Sequence, residues 1–178
     1  MNLEKIKNAN TNYLGKEIIY IEEMDSTQNF AKKLAKENDI NGTIVITDNQ
    51  TKGRGTKGRS WLVSKGKNIT MTIILKPDLK VSKLEGLTLK IAELIKESIK
   101  ELYDYTLTIK EPNDLLLNGK KICGILTESS SYNDKVNYIL IGIGFDVNEE
   151  NFNEELRKHC NFIKERVWKR IWKRRNYR

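Results

Sequence analysis

The chain has 178 residues, of which 38% are apolar and 31% charged, with a formal net charge of +8. A length of this order suits one domain that buries roughly 70% of its unfolded surface. No apolar run reaches membrane-spanning length and the opening MNLEKIKNANTN lacks the apolar core of a signal peptide, so the reading has no membrane association and expects a cytoplasmic protein.

Cys123 and Cys160 are far apart and form no C-x-x-C pattern, which argues for ordinary reduced thiols rather than a disulfide frame or a zinc site. His159, the single histidine, has no flanking feature of a catalytic base. The positive charge is local. Residues 157–178 carry ten Lys/Arg against one acid, Glu165, a net of +9, and residues 1–156 sum to −1. The basicity therefore belongs to a tail, and a body at −1 is not expected to track a phosphate backbone.

In chain order, EIIYIEE (17–23) reads as a strand. A helix follows in DSTQNFAKKLAKEN, where Asp25, Ser26 or Thr27 can cap it and Phe30, Ala31, Leu34 and Ala35 share a face. GTIVITDNQ (42–50) and NITMTIILK (68–76) read as strands, the second closed by Pro77. Ser82 and Glu85 fit a capping box for a helix whose stripe is Leu84, Leu87, Ile91, Leu94, Ile95, Ile99 and Leu102. YTLTIK is a strand, EPND a tight polar turn, and Asn118-Gly119 a hairpin between two short strands. KVNYILIGIGFDVN (135–148) is a long strand with glycines where a ligand or another backbone can approach closely. Frequent strands and hairpins give an α+β class with a mixed, mostly antiparallel sheet backed by helices, not a doubly wound fold.

Between two of these strands lies KGRGTKGRSW (52–61), three glycines among four cations with Trp61 at the end. A solvated basic hairpin loop is the plain reading. Gly53 to Ser60 also approaches a Walker A motif, but such a loop must open a helix, and this one leads to a strand. Glycine amides and the forked donors of Arg54 and Arg59 still suit an anionic ligand, over which the loop would fold as a lid. Downstream, Lys110 ends a strand, and Asn113 and Asp114 stand beside it after Pro112. Taken alone, that pair can equally be making turn hydrogen bonds.

Read together and in order, DSTQ, Gln50 with GRGTKGRSW, KEPND, GKKICGILTE and GIGFDVN resemble the catalytic domain of biotin protein ligases over about residues 17–150. The resemblance implies the architecture shared with lipoate ligases and class II aminoacyl-tRNA synthetases. It implies ATP-dependent activation of biotin to biotinyl-5′-AMP and transfer to a lysine of a biotin carboxyl-carrier protein domain. It places Ser26, Thr27, Gln28, Gln50, Gly53, Arg54, Gly55, Lys110 and Gly124 around biotin, with Lys110 and Arg54 as the catalytic cations. Arg59, Trp61, Asn113, Asp114, Lys121 and Asn148 fall to the nucleotide, and Asp114 also to Mg²⁺.

The sequence departs from the family pattern at Gln28, Glu111, Thr56 and Asp146, where asparagine, tryptophan, arginine and asparagine are usual. Little chain precedes the first strand, so no DNA-binding helix-turn-helix is expected. Residues 1–156 are read as the catalytic domain, and 157–178 as a basic tail standing in place of the family's SH3-like domain. The oligomeric state stays open, a homodimer included. The alternatives are a lipoate-type acyl-adenylate ligase and an inactive ligase whose tail binds nucleic acid.

Overall fold

A computed structural model describes residues 11–37, 40–62 and 64–148, together with residues 4 and 6. The tail, with His159 and Cys160, and the boundary at 156 lie outside the described residues. Seven strands form one sheet: β1 (Ile18–Met24), β2 (Ile44–Gln50), β3 (Ile69–Leu75), β4 (Thr108–Lys110), β5 (Asp114–Leu117), β6 (Lys120–Tyr132) and β7 (Lys135–Phe145). Their order is β1-β2-β3-β7-β6-β5-β4, and only the β1/β2 pair is parallel. The parallel pair needs a crossover, which helix α1 (Thr27–Glu37) supplies. The expected mixed, mostly antiparallel sheet is what forms.

The two helices sit against different clusters. α1 buries Ala31 and Ala35 with Val45, Ile74 and Leu140. Helix α2 (Leu87–Tyr103) packs Leu87, Ile91, Ile95, Ile99 and Tyr103 against Ile139, Ile141, Ile143 and their neighbours. Those five positions are spaced by four, so contact runs along one oblique ridge of the helix. Leu94 and Leu102 belong to the adjacent ridge with Lys90 and Ser98, and are 63% and 58% exposed. The expected stripe was thus too wide.

The start of α2 also differs from expectation. Val81–Leu84 form a separate 3₁₀ turn, and α2 begins after Gly86 at φ 71°, with no side-chain cap. Ser82 and Glu85 fall on the wrong side of that break to form a capping box. The strand expected in YTLTIK shortens to Thr108–Lys110, while Leu107 turns into the core.

Asn118 and Gly119 take φ 53° and 76°, the left-handed pair that a two-residue hairpin requires. The strand after them is not short: β6 runs 13 residues, then turns through Asn133 and Asp134 (φ 49° and 61°) into β7. Asn and Asp tolerate that region better than other side chains, so the turn was available in the sequence.

Candidate functional site

One cross-strand row defines the floor. Thr70, Gly144, Gly124, Asp114 and Lys110 are successive partners from β3 across to β4 at the sheet edge. Four steps at strand spacing make a row of about 19 Å. Thr72, Gly142 and Leu126 form the next row on that face, and Ile74, Leu140 and Glu128 the one after. α1 covers one side of this face, and a cavity of about 440 Å³ lies over the rest.

The segment 53–61 roofs the cavity as a small hairpin. The Trp61 N–H donates to the Gly53 carbonyl at 2.9 Å, the Gly55 N–H donates to Arg59 O at 2.7 Å, and Arg54 bridges to Ser60 between them. Lys57 and Gly58 turn the tip with positive φ, 56° and 72°. Gly53 closes the neck: a β-carbon there would stand 2.2 Å from the Trp61 carbonyl oxygen and 2.7 Å from Gln50 Nε2. The plain hairpin reading is therefore geometrically right, and the hairpin is placed where a lid would be.

The Trp61 ring lies on the paired glycines of the floor. A β-carbon at Gly144 would fall 2.3 Å from Trp61 Cε2, and one at Gly124 3.0 Å from Cζ3. Lys121 Nζ sits 5.3 Å from the ring centroid and donates to Asp114 Oδ1 at 2.7 Å. Asn113 Nδ2 donates to the same oxygen at 3.0 Å. The close approach expected at the β7 glycines is thus made by a side chain, not by another backbone.

At the other end, buried amides and hydroxyls form a continuous network. Ser26 is the cap of α1 among the three residues considered, its Oγ accepting from the Asn29 N–H at 3.4 Å. Gln50 Oε1 accepts from both the backbone N–H and the hydroxyl of Thr27, at 2.8 and 3.1 Å. Thr72 Oγ1 lies 2.9 Å from Thr27 Oγ1 and 3.1 Å from Gln28 Oε1. Gln28 Nε2 donates to Glu128 Oε2 at 2.9 Å. Thr27, Gln28 and Thr72 are at most 3% exposed, so their polar groups depend on one another and on Gln50 and Glu128.

The cations are distributed unevenly. Arg54 makes a forked pair with Glu128, Nη2 to Oε1 at 2.8 Å and Nη1 to Oε2 at 3.3 Å, and Nη1 also reaches Asn29 Oδ1 at 3.1 Å. Burial opposes ionisation of Glu128, but the hydrogen bonds from Gln28 and Arg54 outweigh it and hold the carboxyl below its usual range. Arg59 folds back on Thr56, with Nη2 to Oγ1 at 2.9 Å and Nε to the carbonyl at 3.3 Å. Arg59 and Lys110 make no ion pair among the described residues, and both are exposed at the cavity. Cys123 is buried beneath the site, where burial, reinforced by the Asp146 charge, pushes its thiol far up and makes it a core residue.

The cavity gathers Ser26, Thr27, Gln28, Gln50, Arg54 and Gly55 with Arg59, Trp61, Lys110, Asn113, Asp114, Lys121 and Gly124. Gly53 is placed behind it as the hairpin neck. Asn148 is not brought in: its N–H donates to the Lys67 carbonyl at 3.0 Å, two residues beyond Asp146, which does line the cavity. The sequence reading missed Thr70, Thr72 and Glu128, and flagged Gly142 only as a point of close approach. The alternation of threonine with larger apolar residues in ITMTI signalled the first two, since Thr70 and Thr72 share one face of β3 and are buried. Glu128 closes the GKKICGILTE stretch but carried no assigned role.

The chain belongs to the Biotin/lipoate A/B protein ligase family, whose profile it matches over residues 20–146. It is 38% identical over 163 residues to the bifunctional ligase/repressor BirA of Bacillus subtilis (strain 168), covering 90% of this chain and 50% of that protein. It is 33% identical over 153 residues to the biotin–protein ligase of Homo sapiens, covering 82% of this chain and 21% of the human protein. The chain thus spans about half the length of the Bacillus relative.

Among solved structures, the biotin protein ligase from Aquifex aeolicus in complex with biotin and ATP aligns with a TM-score of 0.69 at 31% identity, over 86% of this chain and 62% of that one. The Leishmania major biotin protein ligase in complex with biotinyl-5-AMP aligns with a TM-score of 0.71 at 26% identity, over 86% and 65%.

Proposed function

We propose that this chain activates biotin with ATP and transfers it to a lysine of a biotin carboxyl-carrier protein domain. The carrying observation is the floor row. It joins a neutral amide-and-hydroxyl end to a cationic end through a glycine pair roofed by Trp61, on a fold shared with ligases that hold biotin, ATP and biotinyl-5-AMP.

The buried amides and hydroxyls suit a neutral ureido ring, which needs both donors and acceptors. At the other end the biotin carboxylate and the α-phosphate, both anions, must come together. A carboxylate oxygen bonds to the α-phosphorus as the bond to the leaving pyrophosphate breaks. Lys110, which makes no ion pair among the described residues although Asp114 is its cross-strand partner, is the cation proposed to stabilise the charge on the phosphoryl oxygens, with Arg59 beside the cavity mouth. The amine of the carrier lysine then attacks the acyl carbon, AMP leaves, and the nitrogen loses a proton. Catalysis here is positioning and electrostatics, with no protein nucleophile.

The donor set fits a Mg²⁺ ion that arrives on the nucleotide. Among the described residues no three His, Cys, Asp or Glu side chains converge, and such ions need only one or two carboxylates besides substrate phosphates. Asp114 would hold it, in competition with Lys121 for Oδ1. When bound, the ion would neutralise phosphate charge. The expected compartment is the cytosol, where ATP and carrier meet.

The test is biotin-dependent exchange of labelled pyrophosphate into ATP, alongside calorimetric titration of biotin with and without ATP. Exchange supported by biotin and not by lipoate is the expected result. Exchange supported by lipoate alone would overturn it in favour of the lipoate-type ligase.

A further inference from the structure

We propose that Glu128 is a positioning residue that latches the 53–61 hairpin over the cavity and sets the direction of the Gln28 amide, a role whose catalytic half rests on the function proposed above. Glu128 is on the same sheet face as the cavity floor, one row beyond Leu126. Its two oxygens take three donors from two other segments. Oε1 accepts Arg54 Nη2, while Oε2 accepts Arg54 Nη1 and Gln28 Nε2. Arg54 belongs to the hairpin and Gln28 to the first turn of α1, so one carboxylate ties roof, helix and sheet together.

The forked pair changes how Arg54 is read. Expected as a cation for the ligand, it already meets a carboxylate in the geometry that a ligand carboxylate would use. Its position in the hairpin makes it a latch, and it leaves Lys110 and Arg59 to meet the ligand's anionic groups.

The second consequence concerns direction. A glutamine amide can present either end, and the choice follows from its partners. An ionised Glu128 accepts only, so it must face Gln28 Nε2, and Oε1 is turned toward Thr72. The Thr27 hydroxyl proton goes to Gln50 Oε1, so the one proton of the Thr72 hydroxyl faces two acceptors, Thr27 Oγ1 and Gln28 Oε1. The direction of the Gln28 amide at this end is therefore set by the Glu128 charge, with the Leu126 carbonyl 3.5 Å from Nε2 as a weaker second acceptor, while Gln50 is held by the Thr27 N–H. Gly142 belongs to the same device, because a β-carbon there would fall 2.7 Å from Gln28 Oε1. The longer amide at position 28 can reach Glu128 only past a glycine.

The experiment compares the full chain with Glu128→Gln, which keeps the shape and removes the charge, and with Glu128→Asp. Without any ligand, limited trypsin digestion reads cleavage after Arg54, Lys57 and Arg59, all in the hairpin. Glu128→Gln should raise cleavage there about fivefold or more, since local opening governs attack on a native segment, and Glu128→Asp should raise it less. In pyrophosphate exchange, Glu128→Gln should raise KM for biotin about tenfold, the loss expected for a charged hydrogen bond, with a smaller change in KM for ATP. A wild-type chain without biotin-dependent exchange whose hairpin nonetheless opens in Glu128→Gln would support the latch and sink the function. An active wild type, with hairpin cleavage and biotin KM both untouched by Glu128→Gln, would overturn the proposal. So would equal rises in the KM values for biotin and ATP.

Discussion

Lys110 and Arg54 were both expected to be catalytic cations, and their surroundings differ. Arg54 is neutralised by Glu128, whereas Lys110 ends a three-residue edge strand with its side chain exposed at the cavity. Lys110→Ala should therefore lower biotin-dependent pyrophosphate exchange about hundredfold or more, the usual loss when a group that meets developing charge is removed. Its thermal midpoint should match wild type, because an exposed side chain without an ion partner adds little to stability. Exchange at the wild-type rate would show that another cation does this work.

Glu128 gives a second test at the same scale. Its folded pKa is depressed below the usual 4.5, so the unfolded chain binds the proton more readily than the native one. The stability it contributes is complete above about pH 4.5 and fades as pH falls through the folded value. Unfolding of wild type and Glu128→Gln by urea, compared between about pH 6 and about pH 4, should show the larger loss in wild type. Parallel losses would mean that the group does not titrate with folding.

The elements separate what the sequence could carry from what it could not. Strands with β-branched runs and turns with Asn-Gly were legible because their signals are local. The width of the α2 stripe was not, because a seven-position pattern cannot say which of two adjacent ridges meets the sheet. Leu94 and Leu102 are solvent-facing for that reason. The glycines were sorted by their neighbours: Gly119 follows Asn118 in a turn and needs its backbone, whereas Gly144 sits within a strand and needs empty space. Gly119 has φ 76° and nothing within 4 Å of a built β-carbon, so Gly119→Ala should cost about 1 kcal/mol through backbone strain alone and leave ligand binding intact. Gly144→Ala would drive a methyl into the Trp61 ring. It should destabilise by about 1–3 kcal/mol and also weaken biotin binding, as the ring leaves its seat. Urea unfolding with biotin calorimetry on both variants checks the contrast. Intact binding in Gly144→Ala would show that the Trp61 seat is dispensable.

At the scale of the molecule, the site draws on six of the seven strands and the start of α1, and this is why only part of it could be read. Residues in quoted motifs were recognisable one segment at a time. The floor row was not, since Thr70, Gly144, Gly124 and Asp114 become neighbours only through the register of four strands. The described cavity residues and the positive charge fall in different stretches of the sequence. Every described residue lining the cavity lies between Ser26 and Asp146, while the net +9 lies in residues 157–178. Deleting 157–178 takes the formal charge from +8 to −1 and leaves all the described cavity residues in place. Biotin affinity, measured by calorimetry, should be the same with and without the tail. Any nonspecific binding of the full chain to nucleic acid should fall steeply with salt and vanish on deletion, because such binding comes from released counterions. A large loss of biotin affinity on deletion would place the tail in the binding site and overturn the separation of body from tail.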